Sequence, residues 1–162
     1  MTLNIEMEYE TPLEFDWEDI ARKVTEAALD YEHCPYETEI NLVLTGNEEI
    51  QRTNREFRDI DRITDVLSFP MLDFDAPGDF SHAEEDDSCF HPDTGELLLG
   101  DIMICIPRMQ EQAQSYGHGQ IREFAFLIAH SMLRPHDAGR SGRYGKEAGR
   151  NTGKPGNYPV RK

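Results

Sequence analysis

One histidine is the strongest candidate for chemistry in this chain of 162 residues. His130 lies within the apolar run Phe124–Leu133, where an imidazole costs free energy unless it is hydrogen-bonded or bound to a metal. Two interpretations are open from the residues alone: a core histidine that bonds a backbone carbonyl, and a zinc ligand. A zinc site on one helix face would need a second histidine four residues later. That position holds Arg134, whose fixed positive charge would repel a cation.

A second candidate is Arg58, within the segment Asn54–Pro70 (NREFRDIDRITDVLSFP). One interpretation is a solvated charge, because acidic and basic residues are interspersed around it. The other is a guanidinium at the mouth of a cleft, where its planar fork would hold a phosphate. The residues alone favour the solvated charge.

Three other classes of site are disfavoured. The acidic segment Met71–Glu96 lacks the D-x-[DN]-x-[DN]-G spacing of a calcium loop, so it predicts a long solvated loop. A zinc peptidase of the H-E-x-x-H type is disfavoured because Ser131 follows His130 where that motif needs Glu. A disulfide scaffold or cysteine zinc site is disfavoured because the three cysteines are widely spaced, with no CxxC pair.

The pattern of apolar residues predicts the elements that position these side chains. Four strands are expected from β-rich or alternating segments: Leu3–Tyr9, Glu37–Thr45, Asp65–Phe69 and Leu97–Ile106. Four helices are expected. The first begins at Trp17, has Asp16 as its N-cap and ends before Pro35; the second has Asn47 as its N-cap and runs to about Phe57. The third begins at Pro107, and the fourth covers about Gln120–Leu133. This order predicts an α+β fold with one mixed sheet of about four strands, and a central C-terminal helix that carries His130.

Charge divides the chain into two parts. Residues 1–133 hold 8 Lys+Arg against 30 Asp+Glu, a balance of −22, whereas residues 134–162 hold 8 against 2, a balance of +6. The second part contains 6 of the 12 glycines and almost no large apolar side chains, so it predicts a disordered basic tail after one folded domain. No apolar run is long enough for a membrane span and no secretory signal is visible, so a reduced, cytoplasmic protein is expected.

Three segments together resemble the YbeY family of bacterial metal-dependent endoribonucleases. They are Asn54–Pro70, then LLLGDIMIC (Leu97–Cys105), then REFAFLIAHSML (Arg122–Leu133), in the order the family has them. The resemblance covers residues 1–133. It implies an endoribonuclease specific for single-stranded RNA that acts in ribosomal RNA maturation and ribosome quality control. It also implies partners, namely ribosomal RNA, the small ribosomal subunit and a ribosomal protein, and no membrane.

The same resemblance implies a zinc cofactor that activates a water. The family pattern H-G-x-L-H-L-x-G-Y-D-H places three histidine ligands at i, i+4 and i+10. His130 matches the first ligand, and Arg58 matches the arginine that the family places beside the metal cleft, where it would have a catalytic role by holding phosphate. The second and third ligand positions hold Arg134 and Arg140. His136 could substitute only at an uncontrolled angle, because the proline before it disrupts the helix.

A frameshift near Leu133 would explain the missing ligands. Codons for Leu133–His136 can be chosen so that a one-base shift reads Tyr-Asp-His, the end of the family pattern. The shifted frame can then continue as an amphipathic helix to a stop. The alternative function is therefore a catalytically inactive, frameshifted member of the family that lacks two of three zinc ligands.

Overall fold

The chain folds as four helices around one four-stranded sheet, as seen in a computed structural model that describes residues 1–71 and 89–133. In chain order the elements are β1 (Thr2–Met7), α1 (Trp17–Tyr31), β2 (Thr38–Thr45), α2 (Asn47–Arg58), β3 (Val66–Pro70), β4 (Leu97–Cys105), α3 (Ile106–Tyr116) and α4 (Gln120–Leu133). The predicted α+β class is confirmed, and the last helix has the predicted bounds. The predicted tail and most of the predicted acidic loop lie outside the described residues.

The sheet is mixed, with strand order β1-β2-β4-β3. β1, β2 and β4 are parallel, whereas β3 runs antiparallel to β4 and forms one edge. Parallel neighbours need crossover connections, which α1 supplies between β1 and β2. The antiparallel β3 follows α2 directly, so the end of that helix and the start of the edge strand are close in sequence.

One face of the sheet builds the main core. Alternate residues of β2 (Ile40, Leu42 and Leu44) point to the same face as Ile102 and Ile104 of β4, as the period of two requires. Helices α1 and α4 cover this face. Phe124 of α4 is fully buried and meets Phe15 edge to face, with ring centroids 5.4 Å apart.

Among the described residues, the opposite face is covered only in part, by α2. A small core forms where Ile50 of α2 packs with Leu67 of β3 and Cys105 of β4, and Phe69 and Met103 lie against it. A polar row crosses the rest of this face: Asn4 donates to Asn41 and Asn41 donates to Asp101, both at 2.9 Å. Helices α2 and α4 therefore lie on opposite faces of the sheet.

The helix ends follow from their local sequence, with one correction. Asp16 caps α1 as predicted, and its carboxylate accepts from the Asp19 N–H at 3.2 Å. Asn47 was predicted to cap α2, which is wrong: the N-cap is Gly46, in extended conformation, and Asn47 is the first helical residue. Its side-chain oxygen instead accepts a hydrogen bond from the Cys105 thiol at 3.1 Å, which ties α2 to the end of β4.

Candidate functional site

Helix α4 holds His130 inside the protein. The helix is apolar over most of its surface and packs between α1, α3 and the sheet, so its residues near the C-terminal end are also buried. The His130 side chain is only 3% exposed, and its ring stacks on Phe126, one turn earlier, with centroids 6.2 Å apart. Ser131 beside it is buried as well. The structure thus places the histidine in the last turn of a buried helix with the predicted bounds.

Arg58 is the last residue of α2 and is half-buried. Asp59 adopts the left-handed conformation (φ 59°) and its N–H donates to the Arg55 carbonyl at 3.1 Å, which ends the helix. The Asn54 side chain then donates to the Arg62 carbonyl at 3.0 Å. Asn54 is itself buried, so this bond ties the loop that follows α2, which carries Arg62, to the helix.

The two predicted site residues come from opposite faces of the sheet. His130 belongs to α4 on the main-core face, and Arg58 belongs to α2 on the other face. Because β3 is an edge strand, the two helices can approach each other only around this edge. A site that used both side chains would therefore straddle β3.

An aromatic pair lies next to Arg58, and the sequence analysis missed it. Phe57 is 70% exposed on α2, although it is one of the largest apolar side chains. Its ring meets Phe69 of β3 edge to face, with centroids 5.6 Å apart and an interplanar angle of 63°. Phe69 packs on the small core, so it holds the exposed ring of Phe57 in place.

A buried polar cluster lies where β3, α3 and α4 meet. Asp65, just before β3, is 2% exposed; burial raises the pKa of its carboxyl, and Gln112, the Val66 N–H and the Arg108 charge lower it by less. Its Oδ1 accepts from Val66 N–H at 2.8 Å, and its carbonyl accepts from Cys105 N–H at 2.9 Å. The sequence analysis treated Asp65 only as the start of a strand. The contacts show that it joins the edge strand to α3.

Electrostatics separates two regions of the surface. A groove of about 600 Å³ opens between Tyr9 and Pro107, at the carboxyl ends of β1 and β2. Four carboxylates line it: Glu8, Glu10, Glu48 and Glu49. This groove would repel a phosphate backbone. The exposed arginines at the other end of α2 would attract one.

The described residues do not complete a zinc site. Within residues 1–71 and 89–133, no group of three His, Cys, Asp or Glu side chains is arranged to hold a metal ion. His130 therefore belongs to no such group of three donors within these residues. Arg134 and Arg140, at the next two ligand positions, lie outside the described residues, and a guanidinium does not ligate zinc. The donor set of this chain does not fit the zinc centre that the resemblance implies.

Comparison with known proteins decides the family. The family model described as endoribonuclease YbeY matches residues 4–136, which include the whole described fold except its first three residues. The chain belongs to the endoribonuclease YbeY family. Endoribonucleases are hydrolases that cleave RNA at internal positions, so this is a family of hydrolases. Within the described residues, no helix is both long enough and apolar enough to cross a membrane.

Curated endoribonuclease YbeY proteins are close relatives. The protein of Lachnoclostridium phytofermentans is 58% identical over 134 residues, covering 82% of this chain and 81% of the relative. That of Agathobacter rectalis is 54% identical over 134 residues, with the same coverage, and that of Lachnospira eligens is 49% identical over 138 residues, covering 82% of each. A solution structure, of TM1509 from Thermotoga maritima, is similar at 19% identity with a TM-score of 0.47, covering 98% of this chain and 95% of that one.

The extent of the match bears on the site. The match to the YbeY model contains both Arg58 and His130 but ends at residue 136, before the position of the third ligand. The relatives from Lachnoclostridium phytofermentans and Agathobacter rectalis likewise align over 134 of the 162 residues. The family match therefore includes Arg58, His130 and Arg134, but not Arg140.

Proposed function

We propose that this domain is an endoribonuclease that cleaves single-stranded ribosomal RNA in the cytoplasm, in rRNA maturation and ribosome quality control. The observation that carries the proposal is the family match over residues 4–136, at up to 58% identity to endoribonuclease YbeY proteins. Arg58, at the end of α2, is the residue proposed to hold a substrate phosphate, because a guanidinium presents paired donors to phosphate oxygens. His130 is proposed as the remaining ligand of a family zinc site.

The charge of the domain favours help from a partner. Residues 1–133 carry a balance of −22, which opposes unaided association with RNA. Binding on the small ribosomal subunit, through a basic ribosomal protein, would offset that repulsion. We include such a partner in the proposal for this reason.

A second candidate function follows from the incomplete donor set. We propose that the chain with this sequence does not hydrolyse RNA, because Arg134 and Arg140 stand at two ligand positions and the described residues supply no substitute. Metal sites tolerate only small errors in ligand distance, so one histidine does not hold zinc at micromolar supply. The frameshift near Leu133 remains our hypothesis for how the ligands were lost.

Cleavage assays on two proteins separate the two candidates. The first protein is the full chain, and the second replaces residues 134–162 by the C-terminal segment of the 58% identical relative. Each is incubated with zinc and an end-labelled ribosomal RNA fragment, single-stranded or annealed to its complement. We expect the chimera to cut the single strand and the native chain to leave it intact. Cleavage by neither protein would refute the ribonuclease assignment, and cleavage by both would refute the inactive candidate.

Two substitutions in the chimera test the residue roles. His130→Ala should abolish both zinc content and cleavage, whereas Arg58→Gln should reduce cleavage and leave zinc content unchanged. If Arg58→Gln cuts at the rate of the parent chimera, the phosphate role is wrong. The frameshift hypothesis needs a separate observation, the gene sequence across the codons for Met132 to Arg134 in the source genome. A gene that encodes the family histidines in frame would support the frameshift hypothesis, and a gene that encodes the present sequence would refute a frameshift introduced after the genome.

A further inference from the structure

An exposed aromatic ring at the end of α2 has no structural explanation in the fold. Phe57 keeps 70% of its surface accessible, more than any other large apolar side chain in the described residues. The small core under α2 is already closed by Ile50, Leu67 and Phe69, so Phe57 adds little buried area to it. A polar residue in this position would lose little buried apolar surface, apart from the contact with Phe69.

The ring is nevertheless held in a defined orientation. Its edge-to-face contact with Phe69 fixes it against β3, and Phe69 in turn packs on the core residues of β3 and β4. Edge-to-face pairs are among the favoured geometries of aromatic side chains. A preorganised ring loses little conformational freedom when a flat ligand stacks on it.

Three arginines lie close to the ring in sequence, and one of them is the residue proposed above to hold a phosphate. Arg55, two residues before Phe57, is about half exposed and pairs with Asp61 at 3.6 Å, an exposed ion pair that a phosphate can displace at little cost. Arg62 is exposed at the end of the loop that Asn54 anchors. Together with Arg58 these residues give three arginines within five positions of Phe57 in the sequence, interspersed with Glu56, Asp59 and Asp61.

We infer that Phe57 is a base-stacking residue, which binds one unpaired RNA base next to the phosphate that Arg58, the following residue, is proposed to hold. Single-stranded nucleic acid is bound by this combination of aromatic rings and positive charges, and every base has a flat face that can stack. A base inside a duplex is not free to leave its neighbours for the ring. The platform would therefore favour single-stranded RNA, and this inference rests on the proposed function for its choice of ligand.

Binding of RNA, measured without cleavage, tests the inference. A fluorescent 12-nucleotide single-stranded RNA is titrated with the full-length chain at low salt, and anisotropy gives the dissociation constant. Phe57→Ala should weaken binding roughly 5- to 150-fold, the range for losing one stacked base. Phe57→Tyr, which keeps the ring, should bind like the native chain. Phe57→Leu, which keeps an apolar side chain without the ring, should bind like Phe57→Ala.

Controls separate stacking from charge and from misfolding. Tyr116→Ala removes another aromatic ring, 49% exposed on α3, and should leave RNA affinity unchanged. Phe57→Ala should keep the salt dependence of binding, whereas Arg62→Gln should lower its slope by about 0.7 per lost phosphate contact. Urea unfolding of each variant checks that the fold is intact.

The outcomes distinguish this inference from the proposed function. If Phe57→Ala and Phe57→Leu bind RNA as tightly as the native chain, the stacking role is wrong, even if the chimera cleaves RNA. If these variants keep their RNA affinity but bind a basic protein more weakly than the native chain does, Phe57 is a contact for a protein partner. If the variants lose affinity while no protein cleaves RNA, the stacking role stands and the ribonuclease assignment fails.

Discussion

Gly100 is the position where the addition of one carbon should do most harm. It lies in β4 opposite Pro70 of β3, with φ 134°, a backbone conformation that side chains rarely adopt. A Cβ built there would lie 2.3 Å from the Phe69 carbonyl oxygen and 2.9 Å from Pro70 Cα. Both neighbours are backbone atoms of the paired strand, so they cannot move away without breaking the ladder. The glycine thus permits β3 to lie against β4.

The cost of Gly100→Ala has two parts. Backbone strain at this φ costs about 1–3 kcal/mol, and forcing extra volume into a packed contact costs about 1–3 kcal/mol more. The expected loss in the free energy of unfolding is therefore about 2–6 kcal/mol. A domain is commonly stable by only about 5–15 kcal/mol, so the variant should be close to unfolding.

Gly95→Ala is a matched control. Gly95 also has positive φ, 77°, but no atom lies within 4 Å of the position of its added Cβ. This variant should lose only the conformational cost, about 1–2 kcal/mol. Urea unfolding followed by circular dichroism compares the two variants with the native chain. Equal losses for both variants would refute the backbone clash, and a stable Gly100→Ala would refute the register of β3 on β4.

Three further predictions concern buried groups. Burial raises the pKa of Asp65 in the folded state above its ordinary value of 3.8, so the native state holds that proton more tightly and the free energy of unfolding falls as pH rises above about 4. Asp65→Asn has no carboxyl to titrate, so the free energy of unfolding of this variant in urea should rise relative to that of the native chain as pH rises. A difference between the two proteins that does not change with pH would contradict this. Burial raises the pKa of Cys105 to about 11, so iodoacetamide at pH 8 should modify half-buried Cys34 first, by mass spectrometry; equal rates would contradict this. Phe124→Ala should lose about 3–5 kcal/mol in urea unfolding, and a loss under 1.5 would contradict its central place.

Periodicity predicted most of the fold because burial is regular along each element. The alternation of Ile40, Leu42 and Leu44 and the apolar surface of α4 are both direct consequences of packing against one sheet. The cap of α2 was wrongly predicted at Asn47, because its side chain bonds Cys105, which lies 58 residues away in sequence. Such long-range contacts leave no local pattern.

The candidate site was predicted unevenly for the same reason. His130 was proposed because an imidazole in an apolar helix is unusual. The residues alone favoured a solvated charge for Arg58, and the family resemblance gave it its proposed role. Phe57 was missed because an aromatic residue at the end of a helix predicts burial, and only the fold shows that its ring remains exposed beside Phe69. The role of Asp65 was missed because its burial depends on α3, which follows 40 residues later.

Zinc content is the most direct test of the proposal that this member of the family lacks two of three zinc ligands after His130. The native chain and the chimera with a relative's C-terminal segment are purified identically and dialysed against micromolar zinc. Native mass spectrometry then gives the number of zinc ions bound to each protein. We predict one zinc ion in the chimera, lost in its His130→Ala variant, and none in the native chain. One zinc ion in the native chain, lost on His130→Ala, would contradict this and show that its own residues complete the site.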